Sequence, residues 1–229
     1  MCRLHSRSRP TTRLGCTRQN VGSVTDDHLG PDQLGPNEPL SVPQLLALMS
    51  GAPFNWWVAG GWALDLFLGH QTRQHSDIEI AVLRRDETPM RKWLSSWQLW
   101  YASRPGNGLD RLREGRPLDA AVHEIWARKS SPGPWLLEVL IDESQGDDWS
   151  YRRDSRVRLP VSQIGESKDD IPLLSPEIVL LYKSKAPREH DDQDLANMLP
   201  SRAESRRAWL RKAISTAHPT SPWVVKLNA

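Results

Sequence analysis

Two short runs, Gly60-Gly61 and Asp77-Ile78-Glu79-Ile80-Ala81-Val82-Leu83, constrain this chain more than anything else in it. The second alternates polar and apolar at its start and then turns wholly apolar, the pattern of a central strand. Successive strand side chains point to opposite faces, so Asp77 and Glu79 share one face while Ile78 and Ile80 take the core. Two carboxylates placed roughly 7 Å apart along a strand can converge on a pair of hard cations about 3.5–4 Å apart. Upstream, Trp56-Trp57-Val58-Ala59 reads as a short buried strand running into the double glycine. Glycine lets backbone N–H groups come close to an anion. The helix expected from Trp62 to Leu68, stopped by Gly69, would aim its N-terminus at the same anion. Alone, a Gly-Gly is most often a tight turn, and an Asp-Ile-Glu-Ile run a half-exposed strand. Together, with fifteen residues between Gly61 and Asp77, they are a far more specific signal.

The remainder of the chain supplies a frame for this pair. Residues 1–40 are rich in Pro, Gly, Asp and Arg without periodicity, and are expected to be disordered. Ser41 reads as an N-cap, with Pro43 in the first turn and Leu45, Leu46 and Met49 on one helical face. A helix is expected from Arg91 to Leu99, and strands at Val122–Ala127 and Trp135–Ile141, with turns at Gly115-Arg116-Pro117 and Ser131-Pro132-Gly133-Pro134. From Ser175 the pattern becomes helical. One helix is capped by Ser175-Pro176 and ends near Lys185, because Pro187 disfavours α geometry at Ala186. A second covers about Asp191–Met198, and a third starts at a Ser201/Glu204 capping box and ends before His218-Pro219. Strands first and helices afterwards indicate an α+β fold: a tail over 1–40, a catalytic domain over 41–165 and a helical region over 166–229.

Composition narrows the setting. No apolar run approaches the ~20 residues that span a bilayer. Both cysteines, Cys2 and Cys16, fall in the first twenty residues, so the folded part has neither disulfide nor Cys-based zinc site, as suits a cytoplasmic protein. Residues 1–23 hold five arginines (Arg3, Arg7, Arg9, Arg13, Arg18) and no acid; taking these from the net charge of +2 leaves −3 for the rest. A body this close to neutral implies no broad basic surface and no nucleic-acid partner. The tail is expected to be dispensable, with Val24 as the alternative start. Of the eleven tryptophans, Trp56, Trp57, Trp62 and Trp126 sit in apolar runs and are expected in the core.

With these residues in place, the chain resembles the aminoglycoside and lincosamide nucleotidyltransferases of the polymerase-β-like superfamily, in particular the group related to aminoglycoside 2″-adenylyltransferase. The block Trp57–Val82 carries the specific match, through Gly60, Gly61, Asp65, Gly69, Thr72, Arg73, His75, Asp77 and Glu79. Weaker matches follow in His123-Glu124-Ile125-Trp126 and in Trp149 through Arg152-Arg153-Asp154. A third lies in Pro176-Glu177 with Leu180-Leu181-Tyr182-Lys183, then Lys185, Arg188, Asp191 and Asp194. The likeness spans roughly residues 41–227. One departure stands out: the family's metal motif usually ends in Asp, where this chain has Glu79.

The resemblance implies a mixed sheet flanked by helices, two Mg²⁺ ions, ATP or another NTP as donor, and a small-molecule hydroxyl acceptor such as an aminoglycoside-type antibiotic. It implies Asp77 and Glu79 as metal ligands. Gly60, Gly61, Arg73, Ser76 and Lys183 fall to the nucleotide, with Lys185 behind Lys183. The third carboxylate is not fixed by a sharp motif: Glu124 ranks first, then Asp119, then Glu138 or Asp142. Arg73 either clamps a phosphate or pairs with Asp65 to hold the loop, and His75 is expected to be structural. Arg188, Asp191 and Asp194 read as helix-terminus ion pairs. A monomer or homodimer is expected, with no membrane contact. Two rival readings stay open: a catalytically weak nucleotide-binding or regulatory protein, and a toxin–antitoxin-type nucleotidyltransferase acting on a protein partner.

Overall fold

The computed structural model describes residues 27–102 and 106–227. The expectations for residues 1–23 and for the alternative start lie outside the described residues. After a two-residue strand β1 (His28–Leu29), helix α1 (Val42–Met49) begins where the sequence pointed. The Ser41 hydroxyl accepts from the Gln44 N–H at 3.4 Å and the Gln44 side chain accepts from the Ser41 N–H at 2.8 Å, a reciprocal cap. Strand β2 (Trp56–Val58) leads directly into α2 (Gly60–Leu68), which Gly69 closes in a left-handed conformation. Then follow β3 (Glu79–Leu83), α3 (Glu87–Trp93), β4 (Gln98–Tyr101), β5 (Leu109–Arg111), β6 (Glu124–Arg128) and β7 (Leu137–Gln145). Strands β8 (Asp148–Ser150), β9 (Arg158–Pro160), β10 (Gly165–Lys168) and β11 (Ile171–Leu174) precede α4 (Pro176–Lys183), α5 (Glu189–Met198), α6 (Glu204–Ala217) and α7 (Trp223–Lys226).

The strands form one mixed sheet in the order β1-β5-β4-β6-β7-β3-β2-β11-β10, with β8 and β9 continuing from the end of β7. Its centre is the parallel pair β3–β7, in which Glu79 stands opposite Glu138 and Val82 opposite Ile141. One face buries Ile78, Ile80, Val82, Val139 and Ile141 against Leu45 and Met49 of α1 and Met90 and Leu94 around α3. The other packs Ala81 and Leu83 against Ala63 and Leu64 of α2, Ile178 and Leu181 of α4, Leu195 of α5, Ile214 of α6 and Trp223 of α7. Glu79, Leu140 and Glu138 open on this second face, between sheet and C-terminal helices, because the two-residue period sends the alternate side chains to the other core.

Five expectations are corrected here. Residues 27–40 are built into the fold: β1 pairs with β5, and Asn37 bridges to Trp135, whose indole donates to the Leu34 carbonyl at 2.6 Å. Aromatic burial against this segment compensates its poor local propensity. The helix expected over 91–99 stops at Trp93, and Gln98–Tyr101 pairs with β6 as a strand, since buried Leu99 and Trp100 are better satisfied by sheet neighbours. The hairpin β10–β11, unforeseen, carries the sheet past residue 166, with β11 parallel to β2 and a tight turn at Asp169 and Asp170, both at positive φ. Ser201 does not cap α6. It lies in the preceding 3₁₀ turn, where its hydroxyl donates to the Met198 carbonyl at 2.7 Å. Trp56, Trp57, Trp62 and Trp126 are only partly buried, whereas Trp100, Trp149 and Trp223 are the fully enclosed ones.

Candidate active site

A cavity of about 860 Å³ opens between the second face of the sheet and helices α4 and α5. Asp77, Glu79, Glu124 and Glu138 line its floor, Gly60 and Gly61 one end, and Arg152, Arg153, Lys183, Lys185 and Arg188 its walls. Asp77 lies two residues ahead of β3, and the Ser76 hydroxyl donates to it at 3.1 Å. Parallel pairing brings Glu138 beside Glu79, and β6 adds Glu124 from the next strand. Burial, then the charge on Asp77, raises the Glu79 carboxyl to about 7. Burial, then Glu79, Glu124 and Asp77, raises Glu138 to about 9. Four carboxyl groups crowding one low-dielectric floor repel one another's ionisation, and a divalent cation would relieve that repulsion.

The candidates for a third carboxylate separate clearly. Glu138 faces Glu79 in register, and burial raises its carboxyl. Glu124 reaches the same floor with its side chain 44% exposed, and Arg152 sits 3.4 Å from it. Asp142, four residues further along β7, is buried in a pair with Tyr182, whose hydroxyl donates to it, and burial lifts its carboxyl to about 6. Asp119 lies in a turn, accepting from the Ala121 N–H at 2.8 Å, and does not line the cavity.

The double glycine has a measurable job. Gly60 sits at φ +58°, and a Cβ on it would stand 1.4 Å from Glu79 Oε2; a Cβ on Gly61 would stand 2.4 Å from the His75 ring. The absent side chains are what let the Glu79 carboxylate and the His75 ring close over the start of α2. His75 is structural as expected: its Nε2 lies 2.6 Å from Asp65 Oδ2, and its ring packs 4.7 Å from Trp62. Thr72 donates to the other Asp65 oxygen at 2.6 Å. Asp65 is therefore taken, and Arg73 does not pair with it. Instead Arg73 makes a two-point bond to Asp194 of α5, Nε at 3.0 Å and Nη2 at 3.1 Å.

That bond belongs to a chain of ions joining the loop before β3 to the C-terminal helices. Lys183 Nζ lies 2.6 Å from Asp191 and 3.2 Å from Asp194, and Arg188 Nε lies 3.1 Å from Asp191. The Arg188 backbone N–H also donates to Asp191 at 2.9 Å, the helix-terminus role foreseen for these residues. Burial opposes ionisation of Asp191, but Lys183 and Arg188 hold its carboxyl down to about 2. Arg73 and Lys183 thus reach the cavity already paired, while Lys185 is exposed at its rim and forms no ion pair among the described residues.

No three His, Cys, Asp or Glu side chains among the described residues form a ready-made metal cage. The donor set is nonetheless all oxygen and anionic, which suits a hard cation such as Mg²⁺ that takes one or two carboxylates and completes its shell with water and phosphate. No helix among the described residues is long and apolar enough to cross a membrane.

Residues 41–103 match the family model described as aminoglycoside-2''-adenylyltransferase. No curated protein sequence matches the chain. Among solved structures, ANT(2″)-Ia in complex with adenylyl-2″-tobramycin superposes with TM-score 0.50 at 14% identity, covering 76% of this chain and 95% of that one. The solution structure of the antibiotic-resistance factor ANT(2″)-Ia gives TM-score 0.50 at 15% identity over 76% and 89%. Lincomycin-bound lincosamide antibiotic adenylyltransferase LnuA gives 0.47 at 18% over 70% and 98%. Likeness to ANT(2″)-Ia at such identity carries the fold alone, and the family match covers the segment that holds Gly60, Gly61, Asp77 and Glu79. Over residues 41–103 the chain is similar in sequence to the aminoglycoside-2''-adenylyltransferase family, and over three quarters of its length it shares the fold of the ANT(2″)-Ia structures.

Proposed function

We propose that this protein transfers a nucleoside monophosphate from an NTP, in the first instance AMP from ATP, to a hydroxyl of a small molecule. The observation that carries this reading is the meeting of Asp77, Glu79 and Glu138 on one cavity floor, beside the N-terminus of α2. Glu138 takes the place for which Glu124 was the first expectation, on the strength of its register and enclosure. Asp77, Glu79 and Glu138 would hold a divalent cation, which supplies charge neutralisation at the transferring phosphoryl group. Gly60 and Gly61 bring backbone N–H groups and the positive end of α2 toward the triphosphate. Arg73 and Lys183, fixed by Asp194 and Asp191, add positive charge held in place before the nucleotide arrives. Glu124, the more exposed carboxylate of the group, is positioned to accept the proton of the attacking hydroxyl.

Metal-dependent pyrophosphate release tests this reading. The full chain is incubated with ATP, Mg²⁺ and a panel of hydroxyl compounds headed by hydroxylated antibiotics, since ANT(2″)-Ia carries adenylyl-2″-tobramycin. Release that requires both Mg²⁺ and an acceptor, and that Asp77→Asn abolishes, supports it. Nucleotide binding without turnover under every condition would favour the regulatory reading instead.

A further inference from the structure

The cavity has two ends, and the carboxylate floor separates them. At one end stand β3, the start of α2 and the ion chain of Arg73 and Lys183. At the other, beyond β7, stand Glu124 of β6 and the loop between β8 and β9 that carries Arg152 and Arg153. In-line displacement needs the leaving pyrophosphate and the attacking hydroxyl on opposite sides of the transferring phosphorus. With the triphosphate over α2, the acceptor occupies the Arg152–Arg153 end. This assignment rests on the transfer reaction proposed above.

That end presents the two guanidinium groups of Arg152 and Arg153 beside the carboxylates of Glu124 and Asp142. Outside the metal group, each carboxylate lining the cavity among the described residues already has a partner: Glu124 faces Arg152 at 3.4 Å, Asp142 takes the Tyr182 hydroxyl, and Asp191 binds Lys183 at 2.6 Å. Asp142, whose Tyr182 partner is neutral, is buried away from solvent. Arg153, by contrast, forms no ion pair among the described residues. It donates to the Tyr182 carbonyl at 2.9 Å and to the Tyr151 hydroxyl at 3.3 Å, both neutral, and lies over the Tyr182 ring at 5.3 Å. Arg152 lies over the same ring at 5.6 Å and is four-fifths buried, so two guanidinium groups flank one aromatic surface, with Glu124 beside Arg152 and Asp142 on the Tyr182 hydroxyl. A polycationic acceptor would bring several ammonium groups against this pair, a repulsion that costs more in a cleft than in open water. Guanidinium forks match carboxylate and phosphate oxygens in geometry.

We propose that the acceptor is a hydroxyl compound bearing an anionic group, a carboxylate or a phosphate, which Arg152 and Arg153 hold while the hydroxyl faces the carboxylate floor. Pyrophosphate release from Mg²⁺-ATP is measured with three acceptor sets: aminoglycosides such as tobramycin, neutral sugars, and anionic hydroxyl compounds comprising hydroxy acids and sugar phosphates. Stimulation at least tenfold greater by a member of the anionic set is expected, and hydroxy acids against sugar phosphates then tell carboxylate from phosphate. Arg152→Gln should raise the acceptor KM at least tenfold while the ATP KM moves less than twofold. Arg153→Gln, which also loses its bonds to Tyr151 and Tyr182, is the second variant and should act in the same direction.

Greater stimulation by aminoglycosides, or none by any anionic compound, overturns the assignment. So does a variant that raises the ATP KM in place of the acceptor's, because it would put the arginines at the donor end. Acceptor-independent, Mg²⁺-dependent ATP hydrolysis by the unmodified protein keeps the two questions apart. Its presence alongside a failed acceptor pattern refutes the anionic acceptor alone, and its absence together with silence from every acceptor refutes the transfer reaction as well.

Discussion

Replacing Gly60 by alanine separates a structural role for the double glycine from a catalytic one. The added Cβ would stand 1.4 Å from Glu79 Oε2, where ordinary contact begins at 3.4 Å. The carboxylate must therefore retreat by roughly 2 Å to regain the optimum for non-bonded heavy atoms. A side-chain end can do so at little cost to the fold. The backbone cost is that of an alanine at φ +58°, about 1–2 kcal/mol, or a fall in Tm of a few degrees for a chain this long. Misplacing a reacting or ligating group by ~1 Å costs on the order of 100-fold in rate, so kcat/KM for nucleotidyl transfer should fall by at least that factor. Thermal melting and Mg²⁺-dependent pyrophosphate release on the same preparation check both numbers. A variant that melts a few degrees lower yet keeps activity within threefold of the parent would refute the reasoning, since it would leave Glu79 without a positional role.

Three further outcomes follow from the same geometry. Glu79→Asp withdraws the carboxylate from Gly60 by about one carbon–carbon bond, ~1.5 Å, and should lower kcat with little change in Tm; unchanged turnover would show that the floor tolerates either length. In the metal-free protein, Glu79 and Glu138 have carboxyls raised from 4.5 to about 7 and about 9. Groups raised in the folded state give stability that is complete below pH 4.5 and lost as pH climbs through 7 and then 9. The rise in Tm on adding Mg²⁺ should accordingly be larger at pH 8 than at pH 6, and a pH-independent shift would count against metal at these carboxylates. Finally, Arg202 Nε lies 2.5 Å from Glu177 Oε1 in a nearly enclosed cluster with Glu166. Arg202→Ala leaves Glu177 buried without its partner, so a loss of about 3–5 kcal/mol should appear in denaturant unfolding.

How far the sequence alone reached follows from the range of each interaction. Asp77 and Glu79 were legible because a strand's two-residue period is local, and Ile78 and Ile80 are indeed buried between them. The caps at Ser41 and Gly69 were local in the same way. The place of Glu138 beside Glu79 was not legible, because it comes from strand register, a pairing across 59 residues that no window reveals. A signal existed: Glu138 is the lone acid in Leu136-Leu137-Glu138-Val139-Leu140, and an acid in a buried strand needs a reason to be there. The β10–β11 hairpin also left a trace, since Asp169-Asp170 is a two-residue turn of the type that tolerates positive φ. Arg73 bonds Asp194 across 121 residues, so its partner could not be read locally. Residues 27–40 carried no period because their order comes from pairing with β5 and from Trp135, both distant in sequence.

The central claim is that Asp77, Glu79 and Glu138 together hold the cation that supports nucleotidyl transfer. Glu138→Gln keeps the size of the side chain and removes its charge, and unlike Asp77→Asn, which lies ahead of β3, it acts from β7. Titrating Mn²⁺ into the parent and both variants in the presence of a non-hydrolysable ATP analogue, with free Mn²⁺ followed by electron paramagnetic resonance, reads the site directly. Saturable binding in the parent that weakens at least tenfold in each variant is the predicted result, and parent-like Mn²⁺ affinity in Glu138→Gln would contradict the account.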